Sequence, residues 1–205
     1  NDLIDNDKIV AVFGGIYSPV MLAQLDTIHE RHIPLINPWG SVSAITDNGR
    51  SPNYAFRVSV SDKYADEFLV RYALNIIDSQ KPAILADTSA WGDSNVSGLS
   101  EWLQKFNLTP VSVQRFDQGD IDMSQQVAAL QSAGADSVLL VANAPEGAAI
   151  VRAMAAQQWK VPVVSHWGIS GGNFVEIAGV DNAEGIFTLQ TYSFSGPASA
   201  KNDAV

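Results

Sequence analysis

The sequence predicts an α/β fold built on parallel sheet, and three observations predict it. Short runs rich in valine, isoleucine and alanine alternate with longer segments whose apolar residues recur at helical spacing, the pattern of repeated βα units. The strand-like runs are apolar throughout, as strands covered on both faces are. The chain has 205 residues, 46% hydrophobic and 17% charged. That is enough to bury a core without covalent staples and unlike the composition of a disordered polyelectrolyte.

The elements follow in order. Residues 8–13 read as a buried strand ended by Gly14-Gly15. A helix over 19–31 is expected from Ser18 as its cap, Pro19 in its first turn, and Met21, Leu22, Leu25 and Ile28 on one face. Residues 33–36 form a second strand, closed by Asn37-Pro38; 42–53 are loop, with Asp47-Asn48-Gly49 and Ser51-Pro52-Asn53 as turn signals; 54–58 form a third strand. Next comes a helix capped by Ser61 or Asp62, with Phe68, Leu69, Tyr72, Ala73, Ile76 and Ile77 as its apolar stripe. Strands over 83–86, 111–115, 137–142, 161–165 and 185–190 then alternate with helices over 94–106, 122–132, 145–158 and 172–178. The helix over 122–132 carries a capping pattern, Asp122 with Gln125, and Gly134 just past its end. Residues 195–205 are small and polar and read as a frayed or cut end.

Composition removes several function classes. There is no cysteine, so neither a disulfide scaffold nor a thiolate metal domain is available. The net charge is −10 and no Lys/Arg cluster interrupts it, which argues against nucleic acid as a partner. No apolar run approaches the roughly 18 residues of a spanning helix. The start, Asn1-Asp2-Leu3-Ile4-Asp5, is polar and acidic rather than a signal peptide. The chain is therefore expected to be cytosolic or the mature part of a processed protein.

Ligands of open parallel sheets sit outside the carboxyl ends of the strands. Three of the five tryptophans, Trp39, Trp91 and Trp167, fall at those strand-to-helix loop tips. One loop tryptophan alone reads as a lid over a core; three together point to a site for an aromatic or cationic ligand. Ser18 at a helix start, with Gly40-Ser41, offers backbone and hydroxyl donors able to grip a carboxylate without an arginine. Tyr17 and Asn143 occupy neighbouring strand ends, and His166 is a weaker candidate there.

Enzyme patterns are absent. Ser18 lacks the Gly-x-Ser-x-Gly context of a nucleophile elbow, and neither Gly14-Gly15 nor the 168–172 glycines match a dinucleotide or phosphate loop. Tyr64 and Tyr72 lack the lysine four residues on that a short-chain dehydrogenase would show. His29 and His32 lack a third metal ligand and are expected to be solvated. Asp87 and Glu146 have no partner by spacing. No catalysis, metal or cofactor is expected.

The run from Lys8 through Gly14-Gly-Ile-Tyr-Ser18, then Ile33-Pro-Leu-Ile-Asn-Pro-Trp-Gly-Ser41, then Ala55-Phe-Arg-Val58, resembles the first lobe of type I periplasmic binding proteins, in the leucine/isoleucine/valine-binding branch that serves ABC importers. Pro82-Ala-Ile-Leu-Ala-Asp87 with Trp91-Gly92, Ala133-Gly-Ala-Asp-Ser-Val138 and Phe174-Val-Glu-Ile-Ala-Gly179 continue the likeness over nearly the whole chain. The resemblance implies two doubly wound parallel-sheet lobes with ligand clamped between them. It divides the chain into a partial N-terminal lobe (1–60), a hinge-proximal helix (61–80) and a C-terminal lobe (81–205), with the first lobe incomplete.

It also implies site residues: Ser18, Gly40 and Ser41 on the ligand carboxylate, Trp91 covering the ligand, and Asn143 and Trp167 from the second lobe. Amino-acid-binding members carry an acid where Trp167 stands, so an aromatic or apolar carboxylate is favoured over a free branched-chain amino acid, with a quaternary ammonium compound next. Tyr17 stands where the best-known members have a cysteine. The implied role is a periplasmic or extracytoplasmic receptor that presents its ligand to a membrane permease. The alternative is the sensing domain of a signalling receptor with the same fold. Self-association of the chain is a further expectation.

Overall fold

Eight strands form two parallel sheets in the computed structural model, which describes residues 2–191. The end expected over 195–205 lies outside the described residues. The first sheet has the order β1 (Val12–Phe13), β2 (Leu35–Asn37), β3 (Ala55–Arg57). The second comprises β4 (Pro82–Asp87), β5 (Val113–Phe116), β6 (Ser137–Val141), β7 (Val163–Ser165) and β8 (Ile186–Thr188), in the order β5-β4-β6-β7-β8. Its order reverses between β4 and β6, the switch point at which doubly wound sheets open a crevice for ligand.

The helices are α1 (Asp2–Asp5), α2 (Ser18–Glu30), α3 (Asp62–Asn75), α4 (Ala90–Lys105), α5 (Ser124–Ser132), α6 (Ala144–Ala156), α7 (Phe174–Ala178) and α8 (Val180–Ala183). The pleat of β4 sends Leu85 to one face of the second sheet and Ile84 to the other. On the Leu85 face, Val138, Leu140 and Val163 pack with Val127, Leu130, Ile150 and Phe174 from α5, α6 and α7. On the Ile84 face, Leu139, Val141 and Val164 pack with Leu69, Val70, Leu99 and Leu103 from α3 and α4. That second cluster continues through Trp91 to Met21, Leu25, Leu35 and Ile45, so one apolar body joins both sheets.

Several local expectations change. The strand over 8–13 shrinks to two residues and is not buried: Val10 is 84% and Phe13 72% exposed. Lys8 takes a left-handed backbone (φ 55), and β1 is an edge strand paired only with β2. Val12, Leu35 and Ala55 share the face that α2 covers; Phe13 and Phe56 share the face that no described element covers. Helix α4 starts four residues before the expected 94, at Ala90, because the Ser89 hydroxyl accepts the N–H groups of Trp91 (3.1 Å) and Gly92 (3.4 Å). Trp91 is thus in a first helical turn, not on a loop. Asp122 accepts the Ser124 N–H (2.9 Å) from outside α5, whose cap position is Met123. The sequence reading also passes over α1, α8 and the 3₁₀ turns Ser43–Ile45 and Trp167–Ser170, all of five residues or fewer.

Candidate functional site

Residues following five strand ends line one cavity. Ile16, Tyr17 and Ser18 come after β1, Trp39, Gly40 and Ser41 after β2, Trp91 after β4, Asn143 after β6, and Trp167 and Gly168 after β7. All eight residues singled out from the sequence are brought together here; Ile16 and Gly168 are additions. The cavity is small, about 10 Å³, roughly room for one water. Two grooves of about 490 Å³ each lie elsewhere on the second sheet's layers and receive none of the eight.

The wall from the first sheet is a donor loop. Ser18 does not cap α2; it is the first helical residue, and Tyr17 holds the cap position. The Ser18 Oγ instead accepts the N–H groups of Ser41 (3.1 Å) and Val42 (3.3 Å). With both lone pairs engaged, its hydroxyl hydrogen is left to donate. Gly40 permits this approach: a Cβ there would lie 1.9 Å from Met21 Cε and 3.1 Å from Ser18 Oγ. Asn37 holds the loop from beneath, its Oδ1 accepting the N–H of Trp39 (3.1 Å) and Gly40 (2.8 Å) and its Nδ2 donating to the Gly40 carbonyl (2.7 Å).

The opposite wall is aromatic. The Trp167 Nε1 donates to the Trp39 carbonyl (3.3 Å), and the Tyr17 hydroxyl donates to Asp87 Oδ2 (3.0 Å). Both bonds link the loops of the first sheet to the second sheet's strand end or loop. Burial is the chief cause that raises the Tyr17 phenol above its usual range. The Trp91 ring lies against Gly168, where a Cβ would come within 2.9 Å of Trp91 Cη2 and 2.5 Å of the Ala142 carbonyl.

Behind the indoles, His166 is fully buried, with its ring centroid 5.9 Å from Trp91 and 5.3 Å from Trp167. Its Nε2 lies 3.4 Å from Asp66 Oδ1. Burial pushes His166 down to about 4 and Asp66 well above the carboxylate range, where Asp62 and Glu101 push it further. The pair is therefore favoured uncharged. His166 supports the tryptophans from behind and does not line the cavity.

None of the ten lining residues is acidic. The two acids that lacked partners by spacing both have one: Asp87 holds Tyr17 and the Ser89 hydroxyl (2.8 Å), and Glu146 Oε1 accepts the Gly119 N–H (2.9 Å). His29 is buried rather than solvated; its Nδ1–H donates to the Leu25 carbonyl (2.7 Å) and its Nε2 accepts the Tyr54 N–H (3.2 Å), while His32 stacks on Tyr54. No three His, Asp or Glu side chains form a metal-holding group among the described residues.

The family model described as "Periplasmic binding protein" matches residues 1–205. The Leu/Ile/Val-binding protein homolog 3 of Brucella melitensis is 26% identical over 197 residues, 96% of this chain and 53% of that protein. The solved structure of LivJ, the branched-chain amino acid transporter substrate-binding protein of Streptococcus pneumoniae in complex with isoleucine, superposes with a TM-score of 0.87 at 21% identity, covering 99% of this chain and 57% of that one. An ABC transporter solute-binding protein from R. palustris, in complex with 4-hydroxybenzoate, does so with a TM-score of 0.85 at 20% identity, covering 99% and 55%. The chain spans about half the length of the relatives it matches.

Proposed function

The chain belongs to the periplasmic binding protein family, and on that premise we propose that it forms the ligand-binding cleft of an extracytoplasmic receptor for an ABC importer. Its ligand is a small aromatic or apolar carboxylate held between the strand ends of the two sheets. The cleft binds and releases without chemical change, and a membrane permease reads its closed form.

The observation that supports this reading is the make-up of the cavity lined by loops of both sheets. Its first wall presents the Ser18 hydroxyl and the Gly40-Ser41 loop, with Trp39 beside them; its second presents Trp91 and Trp167. A hydroxyl left to donate suits a carboxylate oxygen, and indole faces suit a flat apolar body. An amino acid needs a partner for its ammonium, and no acidic side chain lines the cavity. That difference separates this cleft from a free amino acid and favours a ligand of the class named for the R. palustris neighbour.

The test is a thermal-shift comparison of 4-hydroxybenzoate, L-isoleucine and glycine betaine. A ligand at a hundred times its Kd adds about 2.7 kcal/mol, which moves the Tm of a chain this size by roughly 5–10 °C. The aromatic acid is expected to give that shift. Stabilisation by isoleucine alone would overturn the assignment of ligand class.

A further inference from the structure

Arg57, the last residue of β3, does not line the cavity, yet all three of its guanidinium nitrogens bond to the loop that does or to its immediate supports. Its Nη1 donates to the carbonyls of Gly40 (2.8 Å) and Val60 (3.3 Å), its Nη2 to the carbonyl of Val42 (2.6 Å), and its Nε to Thr46 Oγ1 (3.2 Å). The Gly40 carbonyl also accepts from Asn37 Nδ2 (2.7 Å) and Ser59 Oγ (2.8 Å), so three donors converge on one oxygen.

A trans peptide points its C=O and N–H in opposite directions. Drawing the Gly40 carbonyl toward Arg57 therefore aims the Ser41 N–H away from it, onto Ser18 Oγ. The hydroxyl hydrogen of Ser18 is the next donor in that line. Each bond in such a chain polarises the one after it.

The charge of Arg57 is unusual as well. Arg31, Arg50, Arg71 and Arg115 each bond a carboxylate near the surface, and Arg152 is exposed to solvent. Arg57 is half-buried and has no carboxylate within ion-pair distance among the described residues; Asp62 and Asp47 act on it only from further away. A cation without a close counter-ion, set behind a loop that presents hydrogen-bond donors, favours an anion in front of that loop.

We propose that Arg57 is the positioning residue of a carboxylate-binding loop: through the Gly40–Ser41 peptide it orients the Ser18 hydroxyl toward the ligand and adds positive charge from behind, without touching the ligand. This rests on the carboxylate reading given above.

Two measurements test it. The first needs no ligand. In the 205-residue chain, Arg57→Gln should shift the Ser41 amide proton upfield and speed its exchange by about tenfold or more, the scale of one lost charge-assisted hydrogen bond. The amides of Leu85 and Leu140, in the second sheet, should stay put. Arg57→Lys, which keeps the charge but not the fork, should fall between, and it serves if the glutamine variant does not fold. An unmoved Ser41 amide would overturn the proposal.

The second compares 4-hydroxybenzoate with 4-hydroxybenzamide. Wild type should prefer the acid, and Arg57→Gln should weaken the acid about tenfold while changing the amide less than about threefold. Equal losses for both would overturn the positioning role and leave the carboxylate reading intact. A wild type that binds both alike, or neither, would overturn the carboxylate reading, while Ser41 exchange decides the loop argument by itself.

Discussion

Trp167 is only 6% exposed, and it lines the cavity as well as donating to the Trp39 carbonyl. Removing its side chain therefore acts on binding and on stability together. Trp167→Ala is expected to cost about 3–5 kcal/mol of stability and to weaken 4-hydroxybenzoate by more than about tenfold, the loss expected when an indole face leaves a ligand. Trp167→Phe keeps an aromatic face, gives up part of the ring area and removes the Nε1 bond, worth about 1 kcal/mol. Its affinity should stay within about fivefold of wild type by titration calorimetry. Equal affinity for the alanine variant and wild type would return Trp167 to the status of a lid.

At this scale the sequence was informative about position and less so about role. Strand ends located Tyr17, Ser18, Trp39, Gly40, Ser41, Trp91, Asn143 and Trp167, because a parallel sheet delivers all its carboxyl ends to one rim. The bonds that the Ser18 oxygen accepts were not legible. A serine before Pro19 reads as a cap, and only the fold brings Ser41 and Val42 within reach of its oxygen. Arg57 was hidden for the same reason: its partners Gly40 and Val42 lie on a loop 15–17 residues earlier in the chain.

Helix α3 was legible as an element from its apolar stripe, yet that stripe conceals a polar counterpart. Asp62 and Asp66 are each 1% exposed, and the Ser94 hydroxyl reaches Asp62 Oδ2 (2.9 Å) while His166 faces Asp66. Acidic residues on an amphipathic helix ordinarily read as its solvated face. Here α4 and the loop after β7 close over them, a tertiary event that no local pattern records. The titration of the two buried groups has opposite signs. His166 sits at about 4 in the fold against an ordinary 6.5, so the stability it provides is complete above 6.5 and is lost as pH falls toward 4. Asp66 is raised, so its contribution is complete below 3.8 and is lost as pH climbs through its folded value. Asp66→Asn removes the titration of Asp66 while leaving an amide oxygen beside His166. The variant should melt above wild type at pH 7, and the gap should shrink steadily toward pH 4, where Asp66 is increasingly protonated in the unfolded chain as well. Scanning calorimetry at four or more pH values reads this directly; a gap independent of pH would exclude Asp66 as its source. The short β1 marks the other limit at this scale. Apolar residues over 8–13 announce a strand, but only Val12–Phe13 pairs, and Phe13 lies with Phe56 on the face that no described element covers.

Across the whole molecule, the two sheets are joined covalently by the residues between β3 and α3, and α3 packs on α4, β6 and β7. The βα alternation made both sheets legible; the family resemblance, rather than periodicity, supplied the idea of a cleft between them. What the sequence could not convey is how closely the loops of the two sheets meet around the cavity. A cavity of about 10 Å³ cannot admit a benzoate ring, so entry requires the layers to separate and the bonds Tyr17–Asp87 and Trp167–Trp39 to break. A receptor that must open before it binds has an association rate that levels off at the opening rate as ligand rises. Stopped-flow tryptophan fluorescence with 4-hydroxybenzoate should show such a plateau. Tyr17→Phe removes one bond to a carboxylate, worth about 1.5 kcal/mol, and should raise the plateau about tenfold with little change in far-ultraviolet circular dichroism. A rate that climbs linearly with ligand in both proteins would mean that closure follows binding, and that the Tyr17–Asp87 bond is no barrier to entry.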